Sequence, residues 1–344
     1  MNWKVLLTAA LVLLVAVPAA LYLGSYDWSR QHSASVSRLP VWSARSGDGE
    51  YRIEAGGFEF RVRVAGMDND GPAILLLHGF PETSLMWQPL LSAAAGRGFR
   101  AAAFDQRGYS PGARPEAVEQ YHLSHLSGDA IAVADALGFQ RFHLVGHDWG
   151  AAVGWYTAAR VPARIESYSA LAIPHLEAFF DAVQNDPVQR ERSAYFDFNR
   201  RPFVPEFVAM FAGQRILKRL LQSLPAAQRT EYLGLLAEPG ALTAALNWYR
   251  AMDIAELRED PLVTAATVVP TLFLWGERDV VVVPAAIESQ RLNIDAPYEA
   301  RRLDAGHALI QQQPAAVIDA VLGHVSRHRR GAAGPAATTE DDSS

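Results

Sequence analysis

Read by its hydrophobic and polar positions alone, the chain opens on a run with no polar face. Residues 1–24 carry one early cation, Lys4, and then continue apolar to Leu23, with no further charge before Asp27. That is close to the ~20 residues needed for one membrane span. A cleaved signal peptide competes with an uncleaved anchor, because Val17-Pro18-Ala19 offers small or branched residues to a peptidase, while the length of the run favours the anchor. Lys4 would keep the short N-terminus inside, which places the rest of an anchored chain on the outer side; cleavage would instead release it as a secreted protein. Residues 25–50 mix Ser, Arg and Gly without periodicity and read as a linker. Residues 331–344, GAAGPAATTEDDSS, have nothing to bury and read as a disordered tail.

Between these ends the pattern is that of a folded domain. FEFRVRVAG, from Phe58, alternates apolar and polar positions as a half-exposed strand does. AILLLHG (Ala73 to Gly79), RAAAFD (Arg100 to Asp105), FHLVGHD from Phe142, SYSALAIP (Ser167 to Pro174) and TLFLWGERD (Thr271 to Asp279) are near-continuous apolar runs, and YEARRLDAGH (Tyr298 to His307) closes the series. Helical patterns, such as Leu123 to Leu137, separate most of them. This alternation predicts an α/β fold whose sheet is mostly parallel and covered by helices on both faces. From 175 to 264 the alternation fails, and helical patterns follow one another (PEFVAMFAGQRILKRLLQSL, EYLGLLAE, ALTAALNWYRAM). The prediction is a helical cap inserted into a core made of residues 51–174 and 265–330.

Composition narrows the function by exclusion. The chain has 344 residues, half of them hydrophobic, which is enough for a large core. A net charge of −6 without a dense Lys/Arg cluster argues against a nucleic-acid partner, since neutralising phosphates needs grouped cations. The absence of cysteine removes disulfides, thiolate metal sites and a cysteine nucleophile.

The chemistry centres on FHLVGHDWG, Phe142 to Gly150. In Gly146-x-Asp148-x-Gly150 an apolar strand turns sharply into a helix, and the glycines sit where backbone would press on backbone. The turn displays the Asp148 carboxylate at a helix N-terminus, whose free N–H groups favour negative charge. A carboxylate attacking an ester carbonyl would give an anhydride, whereas attack on an sp³ carbon with a leaving group gives an ester. A nucleophilic Asp148 therefore calls for a base, an acid to orient it, and oxyanion donors, in the order nucleophile, acid, histidine along the chain. His307 after the last strand and Asp279 at the end of TLFLWGERD supply the first two. Asp304, three residues before His307, is the rival acid. The Phe80 and Trp149 N–H groups supply the donor pair. His78, Pro81 and Trp149 are read as substrate contacts. No metal or organic cofactor is called for.

HGFPE (His78 to Glu82), DQRGYS (Asp105 to Ser110), GHDWG, GERD and the Gly306-His307 pair, taken together, make residues 55–325 similar to the epoxide hydrolase group of α/β-hydrolases. The resemblance implies an Asp148–His307–Asp279 triad that opens epoxides, and a membrane tether beside an apolar cap points to small lipophilic ones. It also implies two cap tyrosines that donate protons to the epoxide oxygen, at positions matching Tyr249 in ALNWYRAM and Tyr195 in SAYFDFNRRP. Tyr232 and Tyr168 are rivals for those places. A haloalkane dehalogenase on the same core is the alternative; it would want halide-binding N–H donors, and Phe80 stands where the resembled dehalogenases have an asparagine. Ala308 departs from the pattern, in which a tryptophan often follows the histidine.

Overall fold

Eight strands form one sheet: β1 (Gly49–Ala55), β2 (Phe58–Ala65), β3 (Ala73–Leu77), β4 (Arg100–Phe104), β5 (Phe142–His147), β6 (Ile165–Leu171), β7 (Thr271–Gly276) and β8 (Tyr298–Leu303). The structure, a computed structural model, describes residues 34–329 and the isolated positions 12, 16 and 32, without the side chains of 211–213. The apolar run of residues 1–24, apart from positions 12 and 16, and the tail from 331 lie outside the described residues. Among the described residues, no helix is long and apolar enough to cross a membrane.

The spatial order is β1-β2-β4-β3-β5-β6-β7-β8. β1 and β2 are an antiparallel hairpin, joined by Gly56 and Gly57 with φ of 57° and 85°, the doubly positive φ that a two-residue hairpin turn needs. β2 is also antiparallel to β4, and every other neighbour is parallel. Alternate residues of the central strands feed two cores. Leu75 and Leu77 belong to one face with Phe104 and Trp155, while Ile74 and Leu76 belong to the other with Trp87 and Val321. A strand buried on both faces has no polar side to show, which explains the unbroken apolar runs.

β2 departs from the expected half-exposed strand. Phe60, Val62 and Val64 face the core, yet Arg61 and Arg63 on the opposite face are buried as well. Arg61 Nε donates to Asp105 Oδ2 at 2.6 Å, and Arg61 and Arg63 each donate at 2.7 Å to Glu231. Glu231 belongs to the cap helix Ala226–Leu236, which lies on this face, so both guanidinium groups are paired inside the protein.

Between β6 and β7 the described residues, from Leu176 to Thr264, form helices and no strand. The helix Ala241–Arg250 seats this layer on the core: Trp248 stacks on His78 and its Nε1–H donates to the Arg107 carbonyl at 2.8 Å. Part of the stretch read as a linker is also packed on the core. Val36 is buried, the Trp42 ring meets Tyr51 edge-on at 5.3 Å, and the Trp42 N–H donates to the Arg52 carbonyl at 2.8 Å. Scattered apolar residues in a polar stretch leave no periodicity, but they still find the outer edge of β1.

Candidate active site

Asp148 follows β5 directly and has φ 51° and ψ −122° as it enters the helix Trp149–Arg160. A positive φ is strained for a residue with a Cβ and persists only where the surroundings dictate it. Here they do. A Cβ on Gly146 would lie 2.2 Å from the Gly150 carbonyl oxygen, and one on Gly150 would lie 2.2 Å from that of Leu77. The strand order also reverses between β3 and β5, because the chain leaves β3 for β4 on one side and returns to β5 on the other. Such a reversal opens a crevice at the carboxyl ends of the two strands, where ligands bind in open α/β sheets. Asp148 stands in that crevice.

The loop after β3 reaches the carboxylate from one side: the Phe80 N–H donates to Asp148 Oδ1 at 2.8 Å, and the Trp149 N–H bonds the same carboxylate. From the other side, His307 Nε2 lies 3.3 Å from Asp148 Oδ2, and His307 Nδ1 lies 2.8 Å from Asp279 Oδ2. Asp279 is fixed in turn by the Val281 N–H, 2.7 Å from its Oδ1. β7 and β8 stop at Gly276 and Leu303, short of the sequence expectation. The residues beyond turn out of the sheet, which is what aims Asp279 and His307 at Asp148.

Burial by itself would push the Asp148 carboxyl up, but the hydrogen bond and charge of His307 outweigh it and hold the group below the usual carboxylate range. Burial would likewise lower His307, yet the charge of Asp279 and the hydrogen bonds to both carboxylates hold its imidazole well above the usual value. The His307 imidazole thus lies between two carboxylates that both favour its protonated form.

Above the triad lies a chamber of about 490 Å³ whose walls include Phe80, Pro81, Asp148, His307, Tyr195 and Tyr249. Tyr249 packs edge-on against Trp149 and Phe80 at 5.0 and 5.2 Å between ring centroids, and Tyr195 meets Tyr249 at 6.0 Å. Burial, with Asp148 nearby, raises both phenols, so each is a neutral O–H at physiological pH. The rivals are placed elsewhere. The Tyr168 hydroxyl donates to the Ala151 carbonyl at 2.7 Å beneath the helix, and Tyr232 is fully buried beside the Arg63–Glu231 pair. Asp304 is on the surface, ion-paired with Arg278.

His78 is a correction. Read as a substrate contact, it is instead fully buried behind the site, where its Nε2 accepts the Gln106 N–H at 2.9 Å and its Nδ1 meets the Gly79 carbonyl at 2.9 Å. Its burial lowers its pKa, and its ring supports Trp248 and Tyr109 rather than lining the chamber. Sequence reasoning missed the residues that carry the His307 loop. His147 Nε2 lies 2.9 Å from the His307 carbonyl oxygen and its Nδ1 lies 3.0 Å from Glu82 Oε2, while Gln311 donates to the other Glu82 oxygen at 2.5 Å. Glu82 and His147 both sit inside quoted motifs, HGFPE and GHDWG, and a polar residue in each was the available signal. Among the described residues no cluster of His, Asp or Glu is arranged to hold a metal ion.

A mostly parallel sheet with an inserted helical layer and a carboxylate at the strand-to-helix elbow defines an α/β-hydrolase, and residues 72–310 match the alpha/beta hydrolase fold family. The AB hydrolase superfamily protein YfhM of Bacillus subtilis is 34% identical over 66% of this chain and 80% of its own length. Epoxide hydrolase 3 of Xenopus tropicalis is 30% identical over 91% of this chain and 88% of its own. The crystal structure of epoxide hydrolase A from Mycobacterium thermoresistibile is 27% identical, superposes with a TM-score of 0.68, and covers 81% of this chain and 98% of its own. The chain belongs to the epoxide hydrolase family of α/β-hydrolases, and it is a hydrolase.

Proposed function

We propose that this hydrolase converts lipophilic epoxides to vicinal diols through an ester formed on Asp148. One observation carries the reading: the carboxylate has the Phe80 N–H on one side with the Trp149 N–H adjoining, an imidazole braced by Asp279 on another, and two phenols across the chamber. In the first step Asp148 Oδ2 attacks an oxirane carbon, the carbon–oxygen bond breaks, and a proton from Tyr249 or Tyr195 reaches the departing alkoxide. Esterification removes the Asp148 charge and with it part of what holds the proton on His307, and that proton passes through solvent to the tyrosinate left by the first step. The freed imidazole then takes a proton from water, and hydroxide adds to the ester carbonyl. Oδ1 becomes an oxyanion between the Phe80 and Trp149 N–H groups. Collapse of that intermediate expels the second diol oxygen, which takes its proton from the His307 imidazolium, and the new Asp148 carboxyl passes its own proton to the imidazole, which restores the carboxylate.

The dehalogenase alternative lacks support at Phe80, whose side chain is a ring packed on Tyr249 where a halide would need a donor. The test is a single turnover with enzyme in excess in ¹⁸O-water. The diol should carry unlabelled oxygen and the peptide containing Asp148 should gain label. His307→Gln should accumulate the ester and release diol very slowly. Label in the first-turnover diol, with none in Asp148, would refute the covalent route.

For residues 1–24 the proposal is a membrane anchor with the catalytic domain outside, supported by the sequence of that run alone. Carbonate-washed membranes should retain the full-length chain. A shorter soluble chain beginning near Ala20 would favour the cleaved signal peptide instead.

A further inference from the structure

Asp148 and Tyr195 stand where two chambers of very different size meet. The larger, about 490 Å³, runs past His307 and Ala308 under the cap helix Val204–Leu220, between Leu217, Leu221, Leu242 and Leu246. That volume falls within the range that takes a whole drug-sized ligand. The smaller, about 20 Å³, lies past Trp149 and is lined by Ile173, Leu176, Phe179, Phe180, Phe196 and Met252. A space of that size holds about one water-sized group. Its walls brace one another: Phe179 meets Phe180 and Phe196 at 5.9 and 6.4 Å between centroids, and Phe196 meets Trp149 at 6.1 Å. Close-packed rings of this kind do not yield a chain-wide arm without repacking.

The chemistry of ring opening turns this asymmetry into a substrate limit. Attack by Asp148 comes from the side opposite the breaking carbon–oxygen bond, with the oxygen toward Tyr195 and Tyr249. The substituents of the two oxirane carbons then point to opposite sides of Asp148, one set toward each chamber. We infer that the enzyme takes epoxides with one long apolar arm and only hydrogen or methyl on the other carbon, and that Phe179 and Met252 set this limit. The inference rests on the epoxide hydrolase reading and adds the substrate class to it.

Two isomers of equal composition test it with the full-length enzyme: 1,2-epoxydecane, with one long arm, and trans-5,6-epoxydecane, with an arm on each carbon. The terminal isomer should be preferred in kcat/KM by about 100-fold or more, since even a single methylene misplaced in a pocket is worth 10-fold or more. A ratio within about threefold would overturn the inference while leaving epoxide hydrolysis intact. No turnover of these or of any other epoxide by folded enzyme would sink both. Met252→Ala and the milder Phe179→Leu should each shift the ratio toward the internal isomer by about tenfold. If every variant that folds leaves the ratio unchanged, these residues do not set the limit; Met252→Ala alone decides the matter if the phenylalanine variant fails to fold.

Discussion

Gly79 leaves vacant the space that the Asp148 side chain occupies: a Cβ at Gly79 would lie 2.5 Å from both Cβ and Oδ1 of Asp148. This glycine comes from the loop after β3, far from the elbow in sequence, so the elbow and the loop must be matched to each other. Gly79→Ala should displace the carboxylate from the Phe80 N–H and from His307. A shift of about 1 Å costs on the order of 100-fold in rate, so activity should fall at least that far. Wild-type turnover by a folded Gly79→Ala enzyme would show that the close approach does not matter.

Tyr249 shares the chamber with Asp148 and is in contact with Trp149 and Phe80. Tyr249→Phe keeps the ring and removes only the proton donor, so epoxide opening should lose ~2 to 4 kcal/mol of transition-state stabilisation. Tyr195→Phe should act in the same direction. Single-turnover ester formation measures both, and wild-type rates in both singles and the double variant would dismiss the two phenols as donors.

His307 owes part of its raised pKa to Asp148, after the larger contribution of Asp279. Asp148→Asn resembles the ester in charge, so the imidazole should titrate lower in that variant than in wild type, as read by NMR of the ring nitrogens. Ester hydrolysis should accelerate as pH rises through that lower value. The sign for stability is opposite. A histidine raised above its unfolded value of about 6.5 contributes fully below that pH, and the contribution fades as pH rises through the folded pKa. Equal titration in the two proteins would remove the coupling on which the two-step mechanism depends.

Asp105 holds Arg61 and Arg63 under the cap. Burial pushes its carboxyl up, but the two guanidinium charges outweigh that and depress it. Its contribution to stability is therefore complete above about pH 4 and is lost as pH falls toward the depressed folded value. Asp105→Ala leaves two buried cations short of a partner and should cost about 3 to 5 kcal/mol, measured by urea unfolding at neutral pH. A loss below about 1 kcal/mol would mean that Glu231 and Glu50, which also pairs with Arg63 at 2.7 Å, satisfy both arginines without Asp105.

The parts of this protein that local sterics and chain order control could be read from the sequence. Strands buried on both faces must be apolar throughout, and a turn as tight as the one at Asp148 needs glycine on both sides; neither requires knowing what lies across the fold. The tertiary structure decided what depends on segments distant in sequence. Arg61 is buried because Glu231, 170 residues away, reaches it from the cap. His78 is a support and not a substrate contact because Trp248 covers it. Tyr195 and Tyr249, and not Tyr168 or Tyr232, face Asp148 because of how the cap helices settle on the sheet, and the same settling makes one chamber large and the other small. Periodicity reports which face of an element is apolar; it carries no information about which other element will cover that face, and the shape of this site is set by that covering.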